Sequence, residues 1–261
     1  MKVSVIGAGN MGGALLRGWA KAGIIEKLIA CDKNENVLQQ LQTEFPQISI
    51  TTDAKTAAMD ADIVILVVKP WLMSSIAEEI LPVLNLEKQL IVSDAANVGT
   101  EQLAQMLNTK AENAQLFYAI PNIAAEYGAS MSFVASGKGC TKENTEKINT
   151  LYKTVGDVLP CEERLIGAGM MMASCGIAYV MRFIRAMQEG GVEMGFYPQE
   201  AKQIALQTMQ GAVSLLKETG LHPEAAIDKV TTPGGVTIKG LNELDHAGFN
   251  SAVIRCLKAG L

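Results

Sequence analysis

Six residues near the amino terminus, Gly7-Ala8-Gly9-Asn10-Met11-Gly12, constrain the fold more than any other stretch. They follow the apolar run Val3 to Ile6 and lead into Met11, Ala14, Leu15, Gly18, Trp19 and Ala22, which fall on one face of a helix. A strand that enters a helix through such a turn opens a βαβ unit. The first glycine makes the tight turn, the second lets backbone approach a pyrophosphate, and the third brings helix against strand. The pyrophosphate then rests on the helix N-terminus, where free N–H groups and the macrodipole favour an anion. Asp32 follows the next apolar run, Leu28 to Cys31, at the distance where an acid meets the adenosine ribose. Asp32 favours a ribose diol, whereas Lys33 and Asn34 suit a 2′-phosphate, so NADH and NADPH both fit.

Short apolar runs continue at Ile48 to Thr51, Ile63 to Val68, Leu90 to Ser93, Leu116 to Ile120 and Met131 to Ala135, separated by amphipathic stretches. That alternation predicts a largely parallel sheet with crossover helices. After Cys161 the strand signals stop, and helical periodicity covers Glu163 to Gly190, Pro198 to Thr219, Ile238 to Leu244 and Phe249 to Ala259. Pro198 suits a first helical turn, Glu200 the positive helix end, and Gly220 a helix stop. The expected fold is an α/β Rossmann-type dinucleotide-binding domain, residues 1–161, followed by an all-helical domain, residues 162–261.

Composition excludes several classes. A chain of 261 residues that is 49% apolar can bury a substantial core. Its net charge of −5 comes from interspersed acids and bases, and the absence of a basic block argues against a nucleic-acid surface. The opening Met1 to Ile6 has neither a signal peptide's apolar region nor a membrane span, so a cytoplasmic protein without membrane partner is expected. Five scattered cysteines fit neither a disulfide framework nor a paired-ligand zinc site, and the two histidines, His222 and His246, have no second ligand type at metal spacing. No metal is expected.

Two strand ends and one loop complete the candidate chemistry. Val68-Lys69-Pro70 and Ser93-Asp94-Ala95-Ala96 lie at carboxyl ends of strands, the edge that faces the ligand crevice in doubly wound sheets. Each also reads as an ordinary turn. Thr231-Thr232-Pro233-Gly234-Gly235-Val236-Thr237 cannot continue a helix. Its hydroxyls and N–H groups suit a small carboxylate, and they equally suit a capped loop between helices.

The stretch Asp228 to Leu241, D-K-V-T-T-P-G-G-V-T-I-K-G-L, is similar to the signature segment of pyrroline-5-carboxylate reductases. The Gly-x-Gly-Asn-Met-Gly turn, Val68-Lys69-Pro70, Pro121-Asn122, His222-Pro223 and the closing Ala247-Gly248-Phe249 resemble the same family in order and spacing across nearly the whole chain. The resemblance implies that Gly7, Ala8, Gly9, Asn10 and Met11 hold the cofactor phosphates. It places Val68, Lys69 and Pro70 beside the nicotinamide, while the residues themselves assign Asp32 to the adenosine ribose, Lys33 to a 2′-phosphate on it, and Ser93 and Ala95 to the passage of the flat ring. It implies that Thr232, Gly235, Val236 and Thr237 bind the substrate carboxylate, with Thr237 as the catalytic candidate. A homodimer, or a homodecamer built from it, is the implied assembly, with one subunit's carboxylate loop completing its partner's site.

Departures from the family pattern are Tyr118 in place of an arginine, Ala124 in place of a proline, Ile177 in place of a proline, and Ala54 in place of an asparagine. The implied activity is reduction of 1-pyrroline-5-carboxylate to L-proline with NADPH or NADH. A protonated cyclic imine is already electrophilic, so the reaction asks for placement and a dry pocket more than for a strong acid. Cys175 and the methionines Met170 to Met172 read as packing residues. Two alternatives compete. One is a family member without turnover that binds cofactor as a regulator, favoured by the departures. The other is a related β-hydroxyacid dehydrogenase, disfavoured because no lysine lies between Ile166 and Gly195 to transfer a proton.

Overall fold

A computed structural model of the chain describes residues 1–261. Two compact units meet between Cys175 and Gly176 in the sequence. The first unit runs β1 (Lys2–Ile6), α1 (Asn10–Ala22), β2 (Lys27–Cys31), α2 (Glu35–Glu44), β3 (Ser49–Thr51), α3 (Ala54–Ala58), β4 (Ile63–Leu66) and α4 (Met73–Ile80). It continues with β5 (Leu90–Ser93), α5 (Thr100–Met106), β6 (Gln115–Ile120), β7 (Ser130–Ser136), α6 (Lys142–Lys153), β8 (Gly156–Pro160) and α7 (Ile166–Gly169). One sheet holds all eight strands in the order β3-β2-β1-β4-β5-β6-β7-β8. Neighbours are parallel except β6 and β7. This is the expected Rossmann-type architecture, with β1 beside both β2 and β4.

The central strands are apolar on both faces because helices cover both. Val3 and Val5 of β1 pack with Leu15, Leu16 and Trp19 of α1 and with Tyr152 of α6. On the opposite face Leu66 and Ile91 pack with Ala57 of α3, Ile76 of α4 and Leu103 of α5. The Trp19 indole N–H donates to Leu151 O (3.1 Å), and its ring meets Tyr152 edge-on at 5.6 Å. Helices α1 and α6 are thereby fixed to each other as well as to the sheet.

Several boundaries differ from those the sequence suggests. Strand β4 ends at Leu66 rather than Val68, so Val68-Lys69-Pro70 lies in the loop beyond it. Strand β8, Gly-Asp-Val-Leu-Pro, gave no strand signal: it is a partly exposed edge strand, and its terminal glycine and proline read as turn residues. The segment after Cys161 still packs on the sheet unit. Glu163 accepts the Thr100 N–H (3.1 Å) and hydroxyl (2.6 Å) at the start of α5, where the helix's positive end favours its charge. Ile166 is buried with Tyr118, Ile120 and Ala135, and Gly169 lies so close to the Phe133 ring that a Cβ there would overlap it. The compact division therefore comes later than residue 161.

The second unit is all helix: α8 (Gly176–Glu193), α9 (Pro198–Thr219), α10 (Pro223–Asp228), α11 (Val236–His246) and α12 (Phe249–Lys258). Helix α9 has the expected limits, with Pro198 in its first turn and Gly220 in the left-handed conformation that ends it (φ 61°). Helix α10 was not foreseen; His222 caps it by accepting the Glu224 N–H at Nδ1 (3.3 Å). The only apolar side chains fully buried in this unit are alanines, Ala201, Ala205 and Ala226, while Val213 and Ile254 are 51% and 58% exposed. By length and composition alone, the helical stretch Glu163–Glu193 is apolar enough to cross a membrane.

Candidate functional site

Between β1 and β4 the chain leaves the sheet in opposite directions, which opens a crevice at the carboxyl ends of the strands. A cavity of about 640 Å³ occupies it. Its floor is the turn between β1 and α1. Gly7 has φ +104°, its N–H donates to Cys31 O (2.7 Å), and a Cβ there would overlap Val67 O. A Cβ on Gly12 would overlap Gly7 O. Gly9 is different: no protein atom lies within 4 Å of the position a Cβ would take. The protein thus has room for a side chain at Gly9 that a ligand seated on the turn would not.

Helix α1 begins here with no side-chain cap and no acid in its first turn; Gly13 N–H donates to Gly9 O (2.7 Å). Its remaining orphan N–H groups and positive end face the cavity through Gly9, Asn10 and Met11. A bare glycine before an uncapped helix is a fitting cradle for a pyrophosphate.

Gly7, Gly9, Asn10, Met11, Asp32, Val68, Lys69, Pro70 and Ala95, all expected from the sequence, line this one cavity. Ala8, Lys33 and Ser93 do not. Ala8 is buried beneath the turn, and its N–H donates to Asp32 Oδ2 (2.8 Å). Lys33 is exposed outside the cavity. Ser93 is buried, its hydroxyl donating to Val98 O (2.7 Å). Thr232, Gly235, Val236 and Thr237 belong to the helical unit. There Gly235 is the N-cap of α11, which has no side-chain cap and no acid in its first turn. Thr232 and Thr237 are exposed, and the Thr231 hydroxyl donates to Asp228 O (3.1 Å).

The structure adds groups to the cavity wall that the sequence did not assign to the site, among them Asp94, named only within the strand-end run Ser93 to Ala96, together with Ile120, Pro121, Met170 and Ser174. Asp94 is the most consequential. It is buried; Oδ1 accepts the Tyr152 hydroxyl (2.7 Å), and Oδ2 has no hydrogen-bond partner. Burial pushes its carboxyl up to about 8, against the opposing pull of the Tyr152 bond. At neutral pH the wall therefore carries a mostly uncharged acid. A carboxylate directly after the fully buried β5 was the available hint; its partner lies 58 residues further along. Tyr118, at the position of the family's arginine, accepts the Asn97 N–H at its hydroxyl (2.9 Å) and so holds the loop after β5. Asn97 needs that support at φ 61°, a region that favours glycine.

Two outcomes follow from this geometry. Gly9→Val should keep the wild-type melting temperature but lose binding of both dinucleotides, because the new side chain meets the ligand and not the protein. Unchanged affinity in a fluorescence titration would remove the pyrophosphate from this turn. For Asp94, the unfolded chain releases a proton near pH 4 that the folded chain keeps to about pH 8. Stability should fall as pH rises through that window and level off above it. Melting curves at several pH values should show a shallower decline in Asp94→Asn, and identical slopes would mean that Asp94 ionises normally.

The family described as pyrroline-5-carboxylate reductase dimerisation matches residues 163–261. The family described as NADP oxidoreductase, coenzyme F420-dependent, matches residues 2–97. A pyrroline-5-carboxylate reductase of Methanosarcina acetivorans is 36% identical, with 97% of this chain and 94% of the relative covered. One from Escherichia coli is 32% identical over 98% of this chain and 94% of the relative. The crystal structure of Plasmodium falciparum pyrroline carboxylate reductase with NADP bound superposes with a TM-score of 0.89 at 25% identity, covering 100% of this chain and 95% of that one. Similarity at this level along the whole chain, together with the glycine turn and its cavity, places the protein in the pyrroline-5-carboxylate reductase family.

Proposed function

We propose that the protein reduces 1-pyrroline-5-carboxylate to L-proline with NADPH or NADH, the last step of proline biosynthesis, and does so in the cytoplasm. The observation that carries this reading is the uncapped start of α1 at Gly9, opening into a cavity whose far wall is apolar. The bound reduced nicotinamide supplies the hydride. The chain's own residues supply position. Gly9, Asn10 and Met11 anchor the dinucleotide phosphates, and Val68, Pro70, Ala95 and Ala96 form a flat, small-residue surface for the ring. Ile120, Pro121 and Met170 exclude water beside it. The neutral state of Asp94 spares the protonated imine a fixed counter-charge that would stabilise it before reaction.

We assign the substrate carboxylate to the loop before α11. Uncapped N–H groups at Val236 and Thr237, the Gly235 N-cap and the hydroxyls of Thr232 and Thr237 present donors there. Residues up to Cys175 serve the dinucleotide, and the helices from Gly176 onward serve the substrate carboxylate and the subunit contact. The chain's small-molecule chemistry needs neither nucleic acid nor membrane. Helical residues such as Val213 and Ile254 lack cover in a single chain, and the exposed Val180 and Met181 of α8 add further uncovered apolar area. We therefore take the protein to be a homodimer, which a homodecamer would repeat.

Oxidation of reduced nicotinamide by the purified protein, strictly dependent on pyrroline-5-carboxylate, tests the activity; dinucleotide binding without turnover would point instead to a regulatory relative. In that assay Thr237→Val should lower kcat/KM about ten- to a hundredfold, the loss expected when one hydrogen bond to a charged group is removed, with cofactor affinity nearly unchanged. Thr231→Val should cost much less, because its hydroxyl is committed to Asp228 O within the turn. Equal behaviour of the two variants would relocate the carboxylate. Sedimentation should show a dimer or larger species, and a monomer at every concentration would contradict the interface.

A further inference from the structure

We propose that this chain selects NADH over NADPH and that Asp32 makes the selection. The inference rests on the assignment of the cavity to a dinucleotide and goes beyond it, since the family accepts either cofactor by that assignment alone. Asp32 lies directly after β2 and lines the cavity beside the glycine turn. Its carboxylate is held from two sides by backbone: Ala8 N–H donates to Oδ2 (2.8 Å) and Asn34 N–H to Oδ1 (2.9 Å). Backbone donors fix the group with no side-chain freedom to let it swing away. Each oxygen keeps a further lone pair, so the carboxylate has two acceptor positions left for two hydroxyl donors. The vicinal diol of an adenosine ribose offers those two donors. A 2′-phosphate offers none and adds a charge of about −1.5 to −2 at the same place.

Apart from the exposed Lys33, the groups that would have to receive that phosphate are used elsewhere or absent. The two amides that anchor Asp32 are the backbone N–H groups an anion would otherwise find there. The Asn34 side chain accepts the Asn36 N–H (3.1 Å) as the cap of α2. Lys33 is exposed and contributes nothing to the cavity wall. No arginine lines the cavity, and Arg17 on the adjacent helix is paired with Glu44 (2.6 Å). The neighbouring Cys31 thiol reports the local field. Its pKa is pushed up to about 12, chiefly by burial, with Asp32, Glu79 and Asp53 acting in the same direction and Lys33 opposing them. A second phosphate brought to this strand edge meets net negative charge with no bidentate partner.

The test is a pair of equilibrium titrations of the full-length protein, without substrate, followed by the fluorescence of the reduced nicotinamide. Wild type should bind NADH about tenfold or more tightly than NADPH. Asp32→Asn, which removes the charge and keeps one of the two backbone bonds, should narrow that ratio about tenfold, mainly by gaining NADPH affinity, with a single cooperative melting transition, lowered by the lost bond, as the control for folding. Equal or tighter binding of NADPH by wild type would overturn the selection, as would an unaltered ratio in a folded Asp32→Asn. Failure of both dinucleotides to bind wild type would overturn the cavity assignment itself, and the selection with it.

Discussion

The turn between β1 and α1 has no room for a side chain at Gly7 or Gly12, and the geometry of the site follows from that. With Gly7 against Val67 O and Gly12 against Gly7 O, α1 is drawn onto the end of the central strand. Its first turn then points into the crevice between β1 and β4. Asp32 closes the arrangement from β2 by accepting the Ala8 N–H, so three adjacent strand ends are tied into one rigid edge. Gly9 alone in the turn is spared steric pressure from the protein, which separates the glycines that build the turn from the one left open toward the cavity.

The rest of the site is unusual mainly for what it lacks. Hydride transfer to a protonated imine needs little help from acids or bases, and the wall around the cavity offers small and apolar groups. Asn10, Asp32 and Lys69 line it as well, and Asp94 is an acid by type but not by state, because burial keeps its proton on at neutral pH. Its bond to Tyr152 joins the loop after β5 to α6, and Tyr152 packs on Trp19 of α1. The wall of the cavity is thus linked to α1 through one buried polar contact and the ring packed on it. Tyr118 does comparable work on the same loop through the Asn97 N–H, so a departure from the family pattern has a structural role here.

Much of this was legible in the amino-acid sequence, and the failures have physical reasons. The glycine turn, the central strands and the limits of α9 are local signals of period, turn chemistry and helix punctuation, and they read correctly. Strand β8 escaped because an edge strand buries too little to show alternation. Ala8, Lys33 and Ser93 sit where the sequence put them in the chain, yet which way an amide or hydroxyl is committed depends on partners many residues away. The Asp94 and Tyr152 pair is the same case at longer range. Positions within the Thr231 to Thr237 loop were legible as a helix start, since Pro-Gly-Gly leaves few alternatives.

Central to this view is that one cavity, shaped by backbone, delivers a hydride to the imine carbon of a substrate held by its carboxylate. Supplying reduced nicotinamide with deuterium in both hydrogen positions of the transferring carbon, and analysing the product by mass spectrometry and NMR, tests that directly. Proline carrying one deuterium on the carbon that was double-bonded to nitrogen is the predicted result. Proline formed without the label, or cofactor oxidised without labelled proline, would contradict it.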